Sequence, residues 1–504
     1  MDVINQLLLG FSVAFQPVNL FYCFLGCLIG TLVGVLPGLG PTAAMSLLLP
    51  TTFHVPPVSA IIMLAGIYYG AMYGGSTTSI LVNIPGEAAS VMTSLDGYAM
   101  ARQGRAGPAL GISAFGSFIA GTIGLVGLSF LSPPLVSFAL KFGPPEYFSL
   151  MCLGMVVLTF LTSASMIQSL MMACLGIIIG TVGTDTVSGS TRFTFGIMEL
   201  MDGVGLVPLV MGLFGISEIL LNLEQKINRD IFMTRVKGLL PTAQDWLQAK
   251  WAILRGTVIG FLLGILPGGG AVLASFVAYA IEKKASRTPE KFGSGMIEGV
   301  ASPESANNAA AQAAFIPLLT LGLPSNVVMA VLLGALIIHG VTPGPLLLSQ
   351  HPDVFWGVVA SMYLGNMMLL VLNLPLIGIW VQLLKIPYPL MMPMIIIFCL
   401  IGAYSIAGST TDIYIMLFFG VIGYLMKKLR YEAPPLVLAF VLGPMLEYYL
   451  KSSLMLSHGS FRIFFIRPIS AVCLIITLLL LFLPVLKTFR GKRVAVAEKA
   501  EDLS

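Results

Sequence analysis

The stretch GVLPGLGPTAA, residues 34–44, places two prolines and three glycines inside a hydrophobic run where an unbroken membrane helix would be expected. Proline removes a backbone donor and ends a helix, and glycine lets the chain turn without steric hindrance. A second stretch, GILPGGGAVLA at residues 264–274, matches the first at six of eleven positions. The pair predicts two broken or re-entrant helices, one in each half of the chain.

The composition around these stretches is that of an integral membrane protein. Of the 504 residues, 57% are apolar and only 10% are charged, and the mean hydropathy is +0.95. Apolar runs recur along the whole chain, which predicts an all-α polytopic membrane protein with roughly 10 to 14 spans. The first residues, MDVINQLLLG, lack the positive region of a cleaved signal peptide, so the first span is expected to remain. Six cysteines without CxxC spacing predict neither a disulfide framework nor a metal site.

Further matches in the same order indicate an internal duplication. NIPGEAASVM at residues 83–92 resembles LGLPSNVVMA at 321–330, and LKFGPP at 140–145 resembles LKIPYP at 384–389. CLGIIIG, which ends at Gly180, pairs with FFGVIG, which ends at Gly423. We therefore expect four regions. They are a first membrane repeat at 1–223, a polar cytoplasmic linker at 224–250, a second membrane repeat at 251–450, and an extra C-terminal transmembrane helix with a basic tail at 451–504.

The positions of the basic residues predict that the two repeats are inverted. The loop at residues 283–291 carries Lys and Arg where the matching first-copy loop, TTFHVPP, carries none, and the basic loop at 102–105 matches a second-copy loop without Lys or Arg. One loop, with Lys451, Arg462 and Arg467, does not fit this pattern. Because basic loops tend to face the cytoplasm, the linker and the C-terminus are expected on that side.

The helix breaks predict a binding site for an anion and a cation. Freed helix N-termini suit an anion, and freed carbonyls at helix C-termini suit Na⁺. Hydroxyl and amide side chains beside each break are ligands for both. For any one of these residues, a role in close helix packing is an open alternative. The candidate substrate-binding residues are Pro37, Gly38, Gly40, Thr42, Ser76, Thr77, Thr78, Asn83, Pro267, Gly268, Gly269, Gly270, Asn307, Asn308, Ser325 and Asn326.

Carboxylates at membrane depth are rare because an acid at a helix centre costs roughly 2.5 to 3.5 kcal/mol. Glu87 and Glu304, together with Asn307, are the candidate ion-coupling residues. The open alternative for Glu304 is that it caps a helix beginning near Ser305 or lies in an aqueous loop. Other polar residues are expected at loops, helix starts or the membrane interface: Asp96, Asp185, Asp412, Glu218, Glu447 and most of Tyr68, Tyr69, Tyr73, Tyr448 and Tyr449.

An intramembrane enzyme and a carboxylate channel are the alternative functions. No Ser/His or paired-Asp arrangement falls within a predicted span, and the phosphate-loop pattern GxxxxGK[ST] is absent, which disfavours an enzyme. Broken helices in inverted repeats suit alternating access better than a permanent pore. We therefore expect a transporter without enzymatic activity and without a nucleic-acid partner.

Four long signatures resemble those of the large membrane subunit of bacterial tripartite tricarboxylate transporters, the TctA family: GVLPGLGPTAAMSLLLP, YYGAMYGGSTTSILVNIPGEAASVMTSLDGYAMARQGRAGPALG, GILPGGGAVLASFVAY and ASPESANNAAAQAAFIPLLTLGLP. The resemblance covers nearly the whole chain. It implies uptake of tricarboxylates or related organic carboxylates across the bacterial inner membrane, driven by a Na⁺ or H⁺ gradient. It also implies two partners, a small TctB-like membrane subunit and a periplasmic TctC-like solute-binding protein, and no cofactor other than Na⁺ as the coupling ion.

Overall fold

Helices make up most of the described chain, as the hydrophobic pattern predicts. The computed structural model describes residues 3–36, 40–161, 165–185, 187–224, 238–266, 270–383 and 388–482. Within these residues the regular strands are β1 (Gly183–Thr184) and β2 (Thr191–Arg192), which pair antiparallel. The prediction of an all-α polytopic membrane protein is confirmed, with one small hairpin added.

The helix bounds fall into two sets. The first-half helices are α1 (Val3–Ala14), α2 (Pro17–Val35), α3 (Pro41–Leu48), α4 (Pro57–Val82), α5 (Val91–Arg102), α6 (Ala106–Ala139), α7 (Pro144–Leu161), α8 (Met166–Gly180), α9 (Leu206–Val210) and α10 (Ser217–Glu224), with a π-helical turn at Met211–Ile216. The second-half helices are α11 (Ala243–Ile265), α12 (Gly270–Ala285), α13 (Glu298–Ala313), α14 (Phe315–Leu321), α15 (Val327–Ile338), α16 (Leu347–Gln350), α17 (Pro352–Asn373), α18 (Ile377–Leu383), α19 (Tyr388–Ala407), α20 (Thr410–Lys428), α21 (Pro434–Leu456), α22 (Ile463–Ile466) and α23 (Pro468–Phe482).

Six helical segments in the described residues are long and apolar enough to cross a membrane. They are Pro17–Val35, Pro57–Val82, Ala106–Ala139, Leu206–Glu224, Pro352–Asn373 and Thr410–Lys428. Shorter apolar helices include α23, at the position predicted for the extra C-terminal span. The predicted linker at 224–250 ends in helix, because α11 begins at Ala243, while residues 225–237 and the basic tail lie outside the described residues.

The described chain forms two compact units. The first unit is drawn from residues 1–140 and 204–433, and the second from residues 141–203 and 434–504. Each unit takes elements from both predicted repeats. The repeat boundaries concern internal similarity rather than compactness, and they stay a prediction.

Both predicted helix breaks lie between helices that end and restart in the hydrophobic path. In the first copy, α2 ends at Val35 and α3 starts at Pro41. The fixed φ of proline suits the first position of a helix. In the second copy α11 ends at Ile265 and α12 starts at Gly270, whose φ of +55° lies in the left-handed region that favours glycine. The helix ends therefore confirm an interruption at each of the two motifs.

Two helix pairs, α2 with α4 and α11 with α13, pack through glycines that are spaced four residues apart. The glycines occupy equivalent positions in the two pairs. The glycines of α2 lie against carbonyls of α4, and those of α11 lie against carbonyls of α13, so an added Cβ would collide with backbone. Within each set the partners also advance by four, because residues i and i+4 share one helix face. The pairs are Gly26–Met63, Gly30–Ile67 and Gly34–Ala71 in the first copy and Gly256–Ser302, Gly260–Ala306 and Gly264–Ala310 in the second.

A left-handed turn after a helix also occurs in both copies. The helix α4 is followed by Asn83 with φ 57°, and α14 by Gly322 with φ 71°, both left-handed. A proline follows two residues later in each copy, and then a residue whose side chain caps the next helical segment. Those capping residues are Glu87, which accepts from Ala89 N at 2.6 Å, and Asn326, which accepts from Met329 N at 3.0 Å.

Each copy also supplies a loop that covers the end of a helix in the other copy. The Gln103 side chain, at the end of α5, donates to Ser294 O at 2.8 Å in the loop after α12. Thr52, in the segment after α3, lies 2.9 Å from Nε2 of His339 at the end of α15. We call the first junction the basic face (residues 102–105 and 283–296) and the second the neutral face (residues 51–56 and 339–351), which has no Lys or Arg. This exchange is the pattern expected of inverted repeats.

In the second unit a network of ion pairs fixes the β1–β2 hairpin against α21. Asp185 pairs with Lys451 at 2.6 Å and with Arg192 at 2.7 Å, and Glu447 lies 3.0 Å from Arg192 and 2.8 Å from Lys451. Lys451, with Ser188 and the backbone of the loop, holds the pKa of Asp185 below its usual range. The prediction that Asp185 lies in a loop is confirmed, whereas Glu447 lies within α21.

Candidate functional site

The centre of the candidate site is a buried carboxylate that joins three helices. Glu304 lies in α13 with no exposed surface. Its Oε2 accepts from Ser76 Oγ of α4 at 2.5 Å, and its Oε1 accepts from Thr93 Oγ1 of α5. Two hydroxyl donors therefore satisfy the carboxylate at membrane depth. The alternative interpretation, in which Glu304 caps a helix near Ser305 or lies in an aqueous loop, is wrong because α13 already begins at Glu298.

The second buried carboxylate, Glu87, has one oxygen without a partner. Oε2 of Glu87 caps the turn that begins at Ala88 by accepting from Ala89 N, while the buried Oε1 has no hydrogen-bond partner among the described residues. The side chain packs on α4, where a Cβ added to Gly75 would lie 2.8 Å from Glu87 Cγ. Glu87 and Glu304 therefore contact adjacent residues, Gly75 and Ser76, of the same helix.

The C-terminal end of α2 lies beside Glu87. Gly34 O, in the last turn of α2, packs so closely on Gly86 that an added Cβ there would collide with it. Carbonyls in the last turn of a helix lack intrahelical partners and carry the negative end of the helix dipole. A carboxylate next to such an end is unfavourable unless a proton or a cation neutralises it.

The second break has a different chemistry at the equivalent position. Asn326, a neutral amide, stands where the first copy has Glu87, and its Nδ2 donates to Tyr68 OH of α4 at 3.3 Å. Gly270, the first residue of α12, lies beside it, because an added Cβ would be 3.6 Å from Asn326 Cβ. The neighbouring Ser325 Oγ is buried and has no partner among the described residues. This group offers neutral donors and a helix N-terminus.

The polar residues of α13 from Ser302 to Gln312 are fully buried, and their hydrogen-bonding groups are only partly satisfied. Asn308 Nδ2 donates to Ser117 Oγ of α6 at 2.8 Å and to Asn307 Oδ1 at 2.5 Å. In the described part of the chain, Asn308 Oδ1 and both terminal atoms of Gln312 have no partner. Buried polar groups left this way cost about 1–3 kcal/mol each, so they indicate water or a bound ligand.

The remaining predicted site residues are placed unevenly. Thr77 and Thr78 are buried in α4 beside Ser76, and Thr78 Oγ1 donates to Gly75 O at 3.1 Å. Gly40 and Thr42 start α3 at a partly exposed position, and the exposed Asn83 serves to end α4. Five predicted residues lie outside the described residues: Pro37, Gly38, Pro267, Gly268 and Gly269.

The hollow that borders the first break is mostly apolar. This cavity of about 470 Å³ is lined by Leu36 at the end of α2, Ala44 and Leu47 of α3, and Phe398 and Ile401 of α19, and its polar lining residues are Thr51, His54 and Ser405. Such walls offer few polar ligands. We therefore place the polar site on the other side of the break, toward α4 and Glu87.

Sequence reasoning missed or misplaced several residues of this site. Tyr68, Tyr69 and Tyr73 were expected mainly as interface anchors, but all three are buried in α4. Asp96 was interpreted as a loop or helix-start residue, but it is buried inside α5. Thr93, one turn earlier on α5, had no signal in the sequence, because a single hydroxyl in a segment of mixed polar and apolar residues is common.

The chain is similar to a known protein family and to two curated proteins. Residues 20–438 match the model of a family described as the tripartite tricarboxylate transporter TctA family. An "uncharacterized 52.8 kDa protein in TAR-I ttuC' 3'region" of Agrobacterium vitis is 50% identical over 493 residues, covering 98% of each chain. An "uncharacterized protein in TAR-II ttuC' 3'region" of the same organism is 51% identical over 234 residues, which is 46% of this chain and 97% of that protein. No solved structure matches the chain.

Proposed function

The chain belongs to the tripartite tricarboxylate transporter TctA family, and from this membership we propose that it is the large membrane subunit of a secondary transporter. In this proposal the subunit imports tricarboxylates or related organic carboxylates with a Na⁺ or H⁺ gradient. A periplasmic solute-binding protein delivers the substrate, and a small membrane subunit completes the complex in the bacterial inner membrane. The polar linker and the C-terminus face the cytoplasm. The chain itself catalyses no chemical reaction.

The observation that carries the proposal is the unpartnered oxygen of Glu87. Oε1 is buried and has no donor among the described residues, and the adjacent Gly86 packs on the carbonyl end of α2. Both features favour a bound proton or a small cation, because carboxylate and carbonyl oxygens are the ligands that such ions prefer. We assign the coupling ion to Glu87.

The neutral second copy suits the carboxylate substrate. Asn326 and Ser325 carry no charge that would repel an anion, and the N-terminus of α12 beside them presents free N–H groups. Asn308 and Gln312 of α13 add amides with unused bonding capacity. A site with a cation at the first break and an anion at the second would bind the two solutes together, which is the requirement for symport.

Glu304 has a different role in this proposal. Both of its oxygens already accept from hydroxyls of α4 and α5, so its charge is balanced by hydrogen bonds rather than by an ion. Glu304 positions Ser76 through their hydrogen bond. Gly75, the residue before Ser76, is in contact with the side chain of Glu87. Glu304 therefore links α13 to the ion site without binding the ion.

Uptake into proteoliposomes tests the proposal. The purified complex would be reconstituted, the solute-binding protein added outside, and radiolabelled citrate uptake measured with an inward Na⁺ gradient, an inward pH gradient, or neither. Saturable uptake that requires one gradient and the binding protein supports the proposal. Flux that runs only to equilibrium without a gradient indicates a channel, and chemical conversion of citrate indicates an enzyme; either result overturns it.

A further inference from the structure

The side chain of Asp96 accepts four hydrogen bonds from the second copy. It is fully buried on α5, and its Oδ1 accepts the backbone N–H groups of Gly293 at 2.9 Å, Gly295 at 2.9 Å and Met296 at 2.8 Å. Its Oδ2 accepts Tyr279 OH of α12 at 2.9 Å. Hydrogen bonds to an ionised carboxylate are among the stronger ones in proteins. We call this group the Asp96 clasp.

The Asp96 clasp lies next to the buried site, at the loop before α13. The loop that it holds leads into α13, which begins at Glu298 and carries Glu304 within its second turn. Thr93, one turn before Asp96 on α5, donates to Glu304. Residues i and i+3 share one helix face. The same face of α5 therefore forms hydrogen bonds both with the loop that leads into α13 and with Glu304 of α13.

The clasp belongs to the basic face. Gly97 of α5 packs on Ile80 of α4, and Thr93 meets Ser76 through Glu304, so α5 runs in the same direction as α4. The helix α4 starts near the neutral face at Pro57, and the end of α5 therefore lies toward the opposite side. There Gln103 adds one more bond, to Ser294 O.

The equivalent junction on the neutral face is much weaker. In the part of the chain that the structure describes, Thr52 and His339 share one side-chain hydrogen bond there. The ring of Phe53 stacks on His339 with a centroid distance of 6.2 Å. The two junctions related by the repeat thus differ in their number of hydrogen bonds, and the basic face is the one that these bonds close.

On the premise of the proposed transport function, we propose that Asp96 is the positioning residue that closes the basic face over the Glu304 site, and that this face opens when the clasp releases. A carrier that alternates between two open states needs each face to be closed by contacts that can be broken as a unit. All four hydrogen bonds of the clasp end on the carboxylate of Asp96. If this carboxylate moves away, the loop and the start of α13 become free to move together.

Cysteine accessibility tests the proposal. Ser302 of α13 is fully buried below the clasp, with its Oγ directed to Ala278 O at 3.3 Å. Ser302→Cys would be introduced into the full chain after replacement of the six natural cysteines, and labelled with an impermeant maleimide in inside-out vesicles. We expect Asp96→Ala to raise the labelling rate roughly tenfold by shifting the population toward the open state. Asp96→Asn keeps an acceptor at Oδ1 and should restore most of the protection.

A second cysteine separates opening from unfolding. Ser361→Cys on α17 is buried away from the clasp and should stay protected in Asp96→Ala. If it also becomes reactive, Tyr279→Phe, which removes one of the four bonds, replaces Asp96→Ala. Labelling of Ser302→Cys that is unchanged by both Asp96→Ala and Tyr279→Phe overturns the clasp.

Transport kinetics give a further readout. Because Asp96→Ala would deplete the state that binds substrate from the neutral face, the apparent KM for citrate should rise by the factor by which that state is depleted, while kcat changes less. Loss of folded protein alone would lower the maximal rate without raising KM, and that outcome contradicts the proposal. If the unmodified carrier transports no citrate but Asp96→Ala still exposes Ser302→Cys, the clasp stands and the proposed function fails.

Discussion

Glu87 and Glu304, one from each copy of the repeat, contact adjacent residues of α4. Glu87 packs on Gly75, and Glu304 accepts from Ser76. The two carboxylates differ in their hydrogen bonding, because Glu304 has two hydroxyl donors, whereas one oxygen of Glu87 has no donor in the described part of the chain. A small cation at Glu87 would therefore act next to the residue that holds α13 in place.

The first prediction separates the roles of the two acids. Glu87→Gln should raise the half-saturating concentration of the coupling ion by at least about tenfold, because the negative charge at the ion site is lost. Glu304→Gln should leave that concentration within about twofold, since an amide can still bond both hydroxyls. The measurement is initial citrate uptake as a function of Na⁺ concentration and of pH. A shift in Glu304→Gln alone would reverse our assignment of the ion site.

The second prediction concerns stability. Thr93→Val or Ser76→Ala removes a donor from the buried Glu304 carboxylate, which should lower the free energy of unfolding by about 1–3 kcal/mol. Ser94→Ala is the matched control, because its Oγ bonds Val91 O within its own helix, and it should change stability by no more than about 0.5 kcal/mol. Thermal unfolding in detergent measures the difference. Equal effects of Ser94→Ala and Thr93→Val would show that the Glu304 contacts add nothing.

The third prediction tests the duplicated helix packing. Gly30→Ala and Gly260→Ala each force a methyl group into a carbonyl of the neighbouring helix, and overpacking of this kind costs about 1–3 kcal/mol. Gly40→Ala is the control, because an added Cβ there lies within 4 Å of no atom among the described residues. We expect similar losses of folded yield in the two buried variants, measured by size-exclusion chromatography, and none in Gly40→Ala. A loss in only one of the buried variants would contradict equivalent packing.

The fourth prediction concerns orientation. Lys291→Cys and Gln350→Cys place exposed thiols on the basic and neutral faces. If the repeats are inverted, an impermeant maleimide should label Gln350→Cys in intact spheroplasts and Lys291→Cys only in inside-out vesicles. Labelling of both thiols from the same side would exclude the inverted arrangement.

The helix breaks could be predicted from the sequence, because proline and glycine act locally, whereas the duplication stays a prediction. Pro41 must start a helix, and the equivalent prolines Pro85 and Pro324 follow helix ends in both copies. Composition alone identified a helical membrane protein, since apolar spans have no other stable structure than helix or closed barrel in lipid.

The partners of the acids could not be predicted in the same way. That Glu304 meets Thr93, and that Asp96 meets the loop before α13, depends on tertiary packing between segments roughly 200 residues apart in sequence, on which local patterns carry no information. The tyrosines of α4 were misplaced for a related reason. A Tyr near a span end and a Tyr in a buried helix have the same local sequence context, and only the packing of α17 and α14 on α4 decides between them.

The last prediction is that a substitution of Gln312 raises the stability of the protein and lowers its transport activity. Its amide is fully buried, and neither terminal atom has a partner among the described residues. Gln312→Met keeps a similar length while removing both polar atoms, so it should raise the free energy of unfolding of the ligand-free protein by about 1–3 kcal/mol.

The same substitution should lower citrate uptake by at least about tenfold, because the amide that would bond substrate or its water is gone. Thermal unfolding with and without citrate measures the first effect, and proteoliposome uptake measures the second. Gln350→Met, at an exposed position, is the control and should change neither. A destabilised Gln312→Met protein with normal uptake would mean that the amide is already satisfied in the ligand-free state, and its place in the substrate site would then have to be given up.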